Sequence, residues 1–176
     1  MGCTVQQYLD IHHPFAPVFD STSRVLVLGT FPSVQSRANA FYYGHPQNRF
    51  WPVLAALFGA AVPSSVEEKT DLLLTHHVAL WDVLASCDIA GSADGSIRNP
   101  VPNDLSKLLG QAPIHSVFTN GQTAAALYRR WSQPQNSVPM VALPSTSPAN
   151  ARCTLEILIA AWKPLWQSAT KETVKF

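Results

Sequence analysis

The stretch from Gly29 to Trp51 holds the residues best suited to binding a flat ring. It reads GTFPSVQSRANAFYYGHPQNRFW, a turn of glycine and proline followed by a group of aromatic, histidine and asparagine side chains. Aromatic faces in a loop let a nucleic-acid base stack, an interaction worth about 1 to 3 kcal/mol per base. A plain connection between two elements does not need this composition. The segment is therefore a candidate base-binding site.

Each of these side chains also has a structural explanation. Phe50 and Trp51 stand at the start of a helical pattern, where packing in the core is the favoured interpretation of both. Asn48 directly precedes that pattern, and asparagine commonly caps the free N–H groups of a helix. Tyr43 is different, because a glycine follows it and its phenol group needs a polar partner. A binding role is therefore favoured more for Tyr43 than for the other rings.

A second polar segment, LPSTSPANAR, runs from Leu143 to Arg152 ahead of the last predicted helix. Its hydroxyl and backbone N–H groups, with the positive end of that helix, are suited to a DNA phosphate. An ordinary turn rich in serine and threonine, capped by Asn150, accounts for the same residues. The residue types alone do not decide between these two interpretations. The three hydroxyl groups belong to Ser145, Thr146 and Ser147.

Alternating strands and helices position these segments. The run RVLVL, from Arg24 to Leu28, is typical of a strand buried on both faces of a parallel sheet, and we expect it to be central. The alternation predicts a three-layer α/β/α sandwich around a short, mostly parallel four-stranded sheet. Further strands are predicted at the start of 78–84, at 115–118 and at 138–143. Helices are predicted over 49–58, 66–76, 122–131 and 155–166, with a short one capped by Asn103 and ending at Gly110, and 92–102 is predicted to be a loop.

Ligands in such folds bind beyond the carboxyl ends of the strands. These ends carry Gly29 to Ser33, Asp82, Asn120 with Gly121, and Pro144 to Asn150. Both polar segments therefore meet at one edge of the sheet. For Asp82, turn or cap roles are the simpler explanation, as they are for Asn99 and Asp104.

Length and composition indicate one compact domain. The chain has 176 residues, of which 47% are hydrophobic and 13% charged, so a single core suffices, with loosely ordered ends at about 1–10 and 168–176. The formal net charge of +1 excludes a long basic stripe, so any contact with DNA must be local. Residues 1–22 show no basic start followed by an apolar run, and the apolar stretches elsewhere are shorter than a membrane span, so we expect neither a signal segment nor a membrane helix.

The cysteines are too few and too scattered for a structural framework. Cys3, Cys87 and Cys153 form no CxxC pair, which argues against disulfides, zinc and an iron–sulfur cluster. Free thiols suit a reducing compartment. We expect a cytoplasmic protein without a metal site.

The two polar segments resemble a known family. GTFPS followed by YYGHPQNRFW resembles the first motif of the uracil-DNA glycosylase superfamily, most closely that of its hypoxanthine-DNA glycosylase branch. The mismatch-specific uracil-DNA glycosylases have a similar HPxNRFW run. PSTSPAN resembles the superfamily's second motif, which also follows the last strand. Weaker likeness in LWDVLASCD, SIRNPVPNDL and FTNGQTA extends the resemblance over Arg24 to Trp166.

The resemblance implies roles for the first segment. Many members place Asn or Asp inside the Gly-x-x-Pro turn to position the attacking water, whereas this chain has Phe31, which cannot do so. The resemblance therefore assigns the catalytic amide to Asn48, which either positions water or hydrogen-bonds the leaving base. Tyr43 is expected to stack on the flipped base. The base pocket is expected to comprise Gly29, Thr30, Phe31, Tyr43, His45 and Asn120.

Roles for the second segment follow in the same way. By this resemblance Ser145 and Ser147 compress the DNA backbone, and the neighbouring hydroxyl of Thr146 joins the same DNA-binding surface. Arg152 contacts a phosphate. The wedge that enters the space left by the flipped nucleotide is formed by Pro148, Ala149 and Asn150. His45 contacts the base or a phosphate, or makes a structural hydrogen bond.

The implied activity is that of a monofunctional hydrolase in base excision repair. It would act as a monomer on double-stranded DNA, without cofactor or metal, and release a deaminated base, namely hypoxanthine, with uracil and xanthine as further candidate substrates. Two alternatives remain open. One is a uracil- or mismatch-specific glycosylase of the same fold, and the other is a non-catalytic α/β module that binds nucleotides or damaged DNA. A Rossmann cofactor domain is disfavoured, because the Gly29 loop lacks the further glycines that a pyrophosphate requires.

Overall fold

The central sheet of the protein is parallel and has four strands. A computed structural model describes residues 8–172, and in its main sheet the strands lie in the order Val78–Asp82, Val25–Gly29, Ser116–Asn120 and Met140–Leu143, with all neighbours parallel. Gly29 pairs with Asp82, and Asn120 pairs with Leu143, so the carboxyl ends of the four strands meet at one edge. The strands are β2 (Val25–Gly29), β3 (Val78–Asp82), β6 (Ser116–Asn120) and β7 (Met140–Leu143).

Strand β2 separates two hydrophobic layers. All five of its residues are buried, as expected for a strand covered on both faces. Val25 and Val27 belong to one core cluster, whereas Leu26 and Leu28 belong to the other. Because successive side chains of a strand point to opposite faces, this alternation makes the sheet the middle layer of the predicted sandwich.

The first layer packs helices on the valine face of β2. Phe50 and Trp162 are completely buried there and meet edge to face at 5.9 Å. Ser65 caps its helix by accepting a hydrogen bond from the N–H of Glu68, and Thr154 caps the last helix in the same manner. The helices are α2 (Phe50–Phe58), α3 (Val66–Thr75) and α6 (Leu155–Thr170), preceded in the chain by the short α1 (Val34–Asn39).

The second layer combines two short helices with a small antiparallel sheet. Leu26 and Leu28 pack there with Leu84 and Leu108. The strands of this sheet lie in the order Leu9–His12, Leu84–Ile89 and Arg98–Pro102, and the sheet was not expected from the sequence. The elements of this layer are β1 (Leu9–His12), β4 (Leu84–Ile89), β5 (Arg98–Pro102), α4 (Ser106–Gln111) and α5 (Gln122–Leu127).

The prediction of a loop over 92–102 was wrong at its second half. Residues 98–102 form strand β5, which pairs antiparallel with β4. It lies at the edge of its sheet, where Pro100 and Pro102 are tolerated because one side of the strand needs no ladder hydrogen bonds. The proline content therefore concealed a strand.

The predicted cap at Asn103 was also wrong. The Asn103 side chain donates instead to the backbone oxygen of Asp82 at 2.9 Å. Helix α4 begins at Ser106, whose N–H donates to the Asp104 carboxylate. The Asn103 side chain is thus bound to the end of strand β3 and does not cap the helix.

Other element boundaries moved by a few residues. Helix α5 ends at Leu127, and a wider helical turn follows it from Tyr128 to Ser132. Helix α6 extends to Thr170, four residues beyond its predicted end. Of the ends expected to be loose, Leu9–His12 forms β1 and the stretch up to Thr170 is helical. Residues 1–7 and 173–176 lie outside the described part. Within residues 8–172 no helix is both long and apolar enough to span a membrane.

Candidate active site

A cleft of about 630 Å³ opens at the carboxyl edge of the main sheet. Both polar segments line it, as does the turn that follows β4. Every predicted site residue except Arg152 lies in its wall, and Arg152 is exposed at the end of the second segment. The lining from the two segments includes Gly29, Thr30, Phe31, Tyr43, His45, Asn48, Ser145, Thr146, Ser147, Pro148, Ala149 and Asn150, with Asn120 between them.

The Asn48 side chain is fixed in one orientation. Its Oδ1 accepts hydrogen bonds from the backbone N–H of Phe50 at 3.0 Å and from the Thr146 hydroxyl at 2.8 Å. A backbone N–H can only donate, so the atom facing it is the amide oxygen. The Nδ2 group makes no hydrogen bond to the described residues and is left as a donor in the cleft. The structural and chemical interpretations of Asn48 are thus compatible, since the same amide supports the start of α2.

Thr146 links three parts of the site. It is completely buried, and its hydroxyl accepts from Asn120 Nδ2 at 2.9 Å while donating to Asn48. Its backbone N–H donates to Asn120 Oδ1 at 3.0 Å. A hydroxyl group has one hydrogen, which this arrangement commits to Asn48. Asn120 therefore supports the catalytic candidate through Thr146.

Arg49 fastens the second segment to the first, a role that sequence reasoning missed. Its guanidinium donates to the backbone oxygens of Ser147 at 2.8 Å, Asn150 at 3.0 Å and Cys153. The Arg49 backbone N–H donates to the oxygen of Thr146 at 3.1 Å. The planar fork of arginine suits several oxygens at once. Because its partners are carbonyls distant in sequence, no local sequence pattern predicts this role.

Tyr43 presents a rigid ring to the cleft. Its backbone lies in the left-handed region at φ 53°, a conformation that costs of order 1 kcal/mol or more outside glycine. The ring stacks on Phe50 at a centroid distance of 4.0 Å and 25° between planes. Burial raises the pKa of its hydroxyl, and the nearby Asp82 charge raises this pKa further. One face of the ring is thus supported by the core.

The floor and one wall of the cleft are acidic. Asp82 is 4% exposed and accepts a hydrogen bond from His13 at 2.8 Å, a pair that the sequence did not predict. Asp94 lines the wall beside Thr30. Burial and the Asp82 charge raise the pKa of Asp94, and the Thr30 hydroxyl lowers it by bonding to the carboxylate. None of the described lining residues is a lysine or an arginine.

The second segment folds on itself through its own polar groups. Ser145 Oγ accepts from the N–H of Ser147, and Ser147 Oγ accepts from the N–H of Ala149, both at 3.2 Å. The Asn150 amide donates to the oxygen of Ser145 at 3.0 Å. Pro148 and Ala149 are exposed at the rim. These bonds are those of the ordinary turn, and they leave the serine O–H hydrogens free of any described partner.

His45 and Phe31 have structural contacts. The Nδ1 of His45 accepts from the N–H of Gln47 at 3.0 Å, which holds the ring in its own turn at the edge of the cleft. Phe31 is half-buried and faces His13 edge to face at 6.0 Å. Its side chain contributes a wall rather than a polar group. Among residues 8–172, no three His, Cys, Asp or Glu side chains are grouped so as to hold a metal ion.

Comparison with known proteins relates this chain to one family. Residues 16–166 match the model of the uracil DNA glycosylase superfamily. A hypoxanthine DNA glycosylase from Methanosarcina acetivorans is 33% identical over 144 residues, which are 81% of this chain and 90% of that protein. A hypoxanthine DNA glycosylase from Methanosarcina barkeri is 33% identical over 110 residues, 61% of this chain and 70% of that protein.

A solved structure has the same fold. The solution NMR structure of a Methanosarcina acetivorans protein, designated a candidate uracil DNA glycosylase, superposes with a TM-score of 0.77 at 28% identity. The match covers 93% of this chain and all of that chain. The parallel sheet and the helices around it are therefore shared.

Proposed function

The chain belongs to the uracil-DNA glycosylase superfamily, and on that premise we propose that it is a monofunctional DNA glycosylase that removes hypoxanthine from deoxyinosine in duplex DNA. The choice of hypoxanthine is supported by the two Methanosarcina relatives that carry this name, one of which is 33% identical over 81% of this chain. Uracil and xanthine, which share the same deaminated edge, are proposed as secondary substrates.

The observation that carries the proposal is the oriented amide of Asn48. Hydrolysis breaks the bond between C1′ and the base nitrogen, the base leaves with the electron pair, and a water oxygen bonds to C1′. Negative charge therefore develops on the departing base. The Asn48 Nδ2 donor faces the cleft while its oxygen is held by Phe50 and Thr146. A donor held in place before the reaction stabilises such charge without reorganisation.

The remaining walls fit a flipped base. Tyr43, supported from behind by Phe50, offers its free face for stacking, and the backbone of Thr30 and Phe31 borders the base. The carboxylates of Asp82 and Asp94 disfavour a phosphate inside the cleft and favour the positive charge that develops on the sugar. Because no amine of the described residues lines the cleft, we assign hydrolysis rather than a Schiff-base lyase reaction.

The second segment is proposed to hold the distorted DNA. Ser145 and Ser147 use their oxygens inside the turn, so each keeps an O–H donor for a phosphate. Pro148 and Ala149, exposed at the rim and followed by Asn150, form the wedge, and Arg152 contacts a phosphate nearby. His45 is placed at the rim as a further contact. We propose that the protein acts as a monomer in the cytoplasm, without cofactor or metal.

Base release from defined duplexes tests this function. Wild-type protein and Asn48→Ala are incubated with duplexes that contain one deoxyinosine, deoxyuridine or deoxyxanthosine, and abasic sites are cut with alkali. We expect release from deoxyinosine to be fastest for the wild type and at least about 100-fold slower for the variant, the usual cost of losing one such donor. Binding of the deoxyinosine duplex without alkali-sensitive sites would contradict the proposal and favour a non-catalytic module.

A further inference from the structure

A second carboxylate lines the cleft, on the turn that follows β4. Asp94 is exposed at the mouth of the cleft, whereas Asp82 forms the floor and is 4% exposed. The turn is held against the wall, because the Val34 N–H donates to Ser92 Oγ at 2.8 Å and the Thr30 hydroxyl bonds to the Asp94 carboxylate. A carboxylate accepts several hydrogen bonds, so this one bond leaves Asp94 able to bind a water molecule.

Asp94 and Asn48 lie on different sides of the cleft. Asn48 is bonded to Thr146, which follows β7 at one edge of the main sheet. Asp94 is bonded to Thr30, which follows β2. The backbone oxygen of Thr30 accepts from the N–H of Leu84, just beyond β3 at the opposite edge of the sheet. A base that receives the Asn48 donor therefore has Asp94 on its other side.

Hydrolysis needs groups on both sides of the bond that breaks. The base leaves C1′ with the electron pair, and water approaches C1′ from the opposite face of the sugar. As the bond between the water oxygen and C1′ forms, one water proton passes to an acceptor, and such general base catalysis contributes about 10²- to 10⁴-fold. The departing base anion is protonated from solvent. Because the Asn48 donor serves the base, the acceptor for the water proton lies elsewhere in the cleft.

Other titratable side chains of the cleft are less suited to accept this proton. The Nδ1 of His45 accepts from a backbone N–H at 3.0 Å, so the neutral ring carries its hydrogen at Nε2 and has no free lone pair. Asp82 is bonded to His13 at 2.8 Å and lies at the floor, away from the sugar, which stays attached to the DNA. Asp94 is the carboxylate that faces both the mouth and the solvent.

We propose that Asp94 is the general base of the reaction, and that its carboxylate binds the attacking water and accepts a proton from it as the water oxygen bonds to C1′. The inference rests on the proposed glycosylase function and deepens it. Phe31, which lies next to Thr30 in the neighbouring turn, has no acceptor in its side chain. The negative charge of Asp94 also stabilises the positive charge that develops on the sugar.

The surroundings of Asp94 give base release a pH dependence of definite sign. Burial in the wall raises the pKa of the carboxyl group most, the Thr30 hydroxyl lowers this pKa, and the Asp82 charge raises it. The net shift of the pKa is upward. Because a carboxyl group accepts a proton only when it is ionised, base release should increase with pH through this raised pKa and level off above it.

Neighbouring groups do not produce the same dependence. Burial raises the pKa values of Tyr43 and Cys87, so both stay protonated in acidic and neutral solution. The titratable and charged groups around the turn are Arg37, Tyr42, Tyr43, His45, Asp82 and Cys87. Substitution of Asp94 itself therefore identifies the group that titrates.

Removing the charge of Asp94 tests the proposal. Asp94→Asn keeps the size of the side chain and cannot take up a proton. Single-turnover release from a deoxyinosine duplex should fall about 100-fold or more near neutral pH. The increase of release between about pH 4.5 and 8 should disappear. Binding of the duplex should be unchanged or tighter, because a negative charge near the phosphates is lost. Asp94→Glu, which keeps a carboxylate, should retain the increase with pH.

Matched variants and a second readout make the result decisive. Asp71→Asn removes an exposed carboxylate on α3 and should keep both the wild-type rate and its pH dependence. His45→Gln should keep the increase with pH. Release by folded Asp94→Asn within about threefold of wild type, or an increase with pH that persists in this variant, would overturn the assignment.

The wild-type protein provides the remaining outcomes. If neither Asp94 variant folds, the pH profile of the wild type decides: an increase through an acidic pKa supports the proposal, and a flat profile overturns it. A wild type that releases no base from deoxyinosine or deoxyuridine duplexes at any pH would instead refute the glycosylase function itself.

Discussion

Replacing Asn48 by aspartate separates the two chemical roles that one side chain could have. Aspartate keeps the two acceptor positions that bind the Phe50 N–H and the Thr146 hydroxyl, at 3.0 and 2.8 Å in the native protein. It loses only the Nδ2 donor that faces the cleft. A side chain that works by donating to the leaving base is therefore disabled, whereas one that works by holding water through its oxygen is preserved.

The expected size of the effect follows from this difference. Loss of a fixed donor to developing negative charge costs about 2.7 to 4 kcal/mol, or about 10²- to 10³-fold in rate. The new carboxylate also repels the departing base, so release from deoxyinosine should fall by at least the lower of these factors. Stability should be kept or rise slightly, because an acidic group near a helix N-terminus contributes about 0.3 to 1 kcal/mol.

Single-turnover release from a deoxyinosine duplex and thermal denaturation measure the two quantities. Gln167→Glu, exposed on α6, changes the charge equally and should keep wild-type rates. Activity of Asn48→Asp within about threefold of wild type, with the fold retained, would refute the donor role and point to water held by the side-chain oxygen.

Two further substitutions test the supports of the site. Thr146→Val removes the hydroxyl between Asn48 and Asn120. In this variant kcat should fall about tenfold or more while the KM for DNA changes little, and Thr146→Ser should restore kcat. Equal losses of kcat in both variants would indicate that Thr146 acts through packing alone. Arg49→Lys cannot span the carbonyls that the guanidinium joins, so urea unfolding should show about 1 to 3 kcal/mol less stability. Its affinity for duplex DNA should weaken as well, and an unchanged unfolding midpoint would contradict this role.

Local sequence patterns predicted much of the framework. The apolar run before Gly29 is short, valine-rich and ends at a turn, which identifies a buried parallel strand without any knowledge of its neighbours. Since a doubly wound sheet gathers its loops at the carboxyl edge, the same reasoning placed both polar segments in one cleft. For Asn48, the pattern predicted only a cap at the start of a helix, and the catalytic role was implied by the family resemblance.

Contacts between distant parts of the chain could not be predicted from the sequence. His13 meets Asp82 across 69 residues, and Arg49 reaches carbonyls about a hundred positions away. Neither contact follows from a periodicity in the sequence, because both depend on how the layers pack. Strand β5 was missed for a related reason, since an edge strand tolerates the prolines that otherwise indicate a loop.

Direct detection of the released base tests the glycosylase assignment most simply. A duplex with a single deoxyinosine is incubated with wild-type protein, and the products are separated before any alkali is added. We predict free hypoxanthine in equal amount to abasic sites in an otherwise intact strand, and release at least about 100-fold slower with Asn48→Ala. Strand cleavage without alkali, or tight binding of the duplex with no free hypoxanthine or uracil from their respective substrates, would contradict a monofunctional hydrolase.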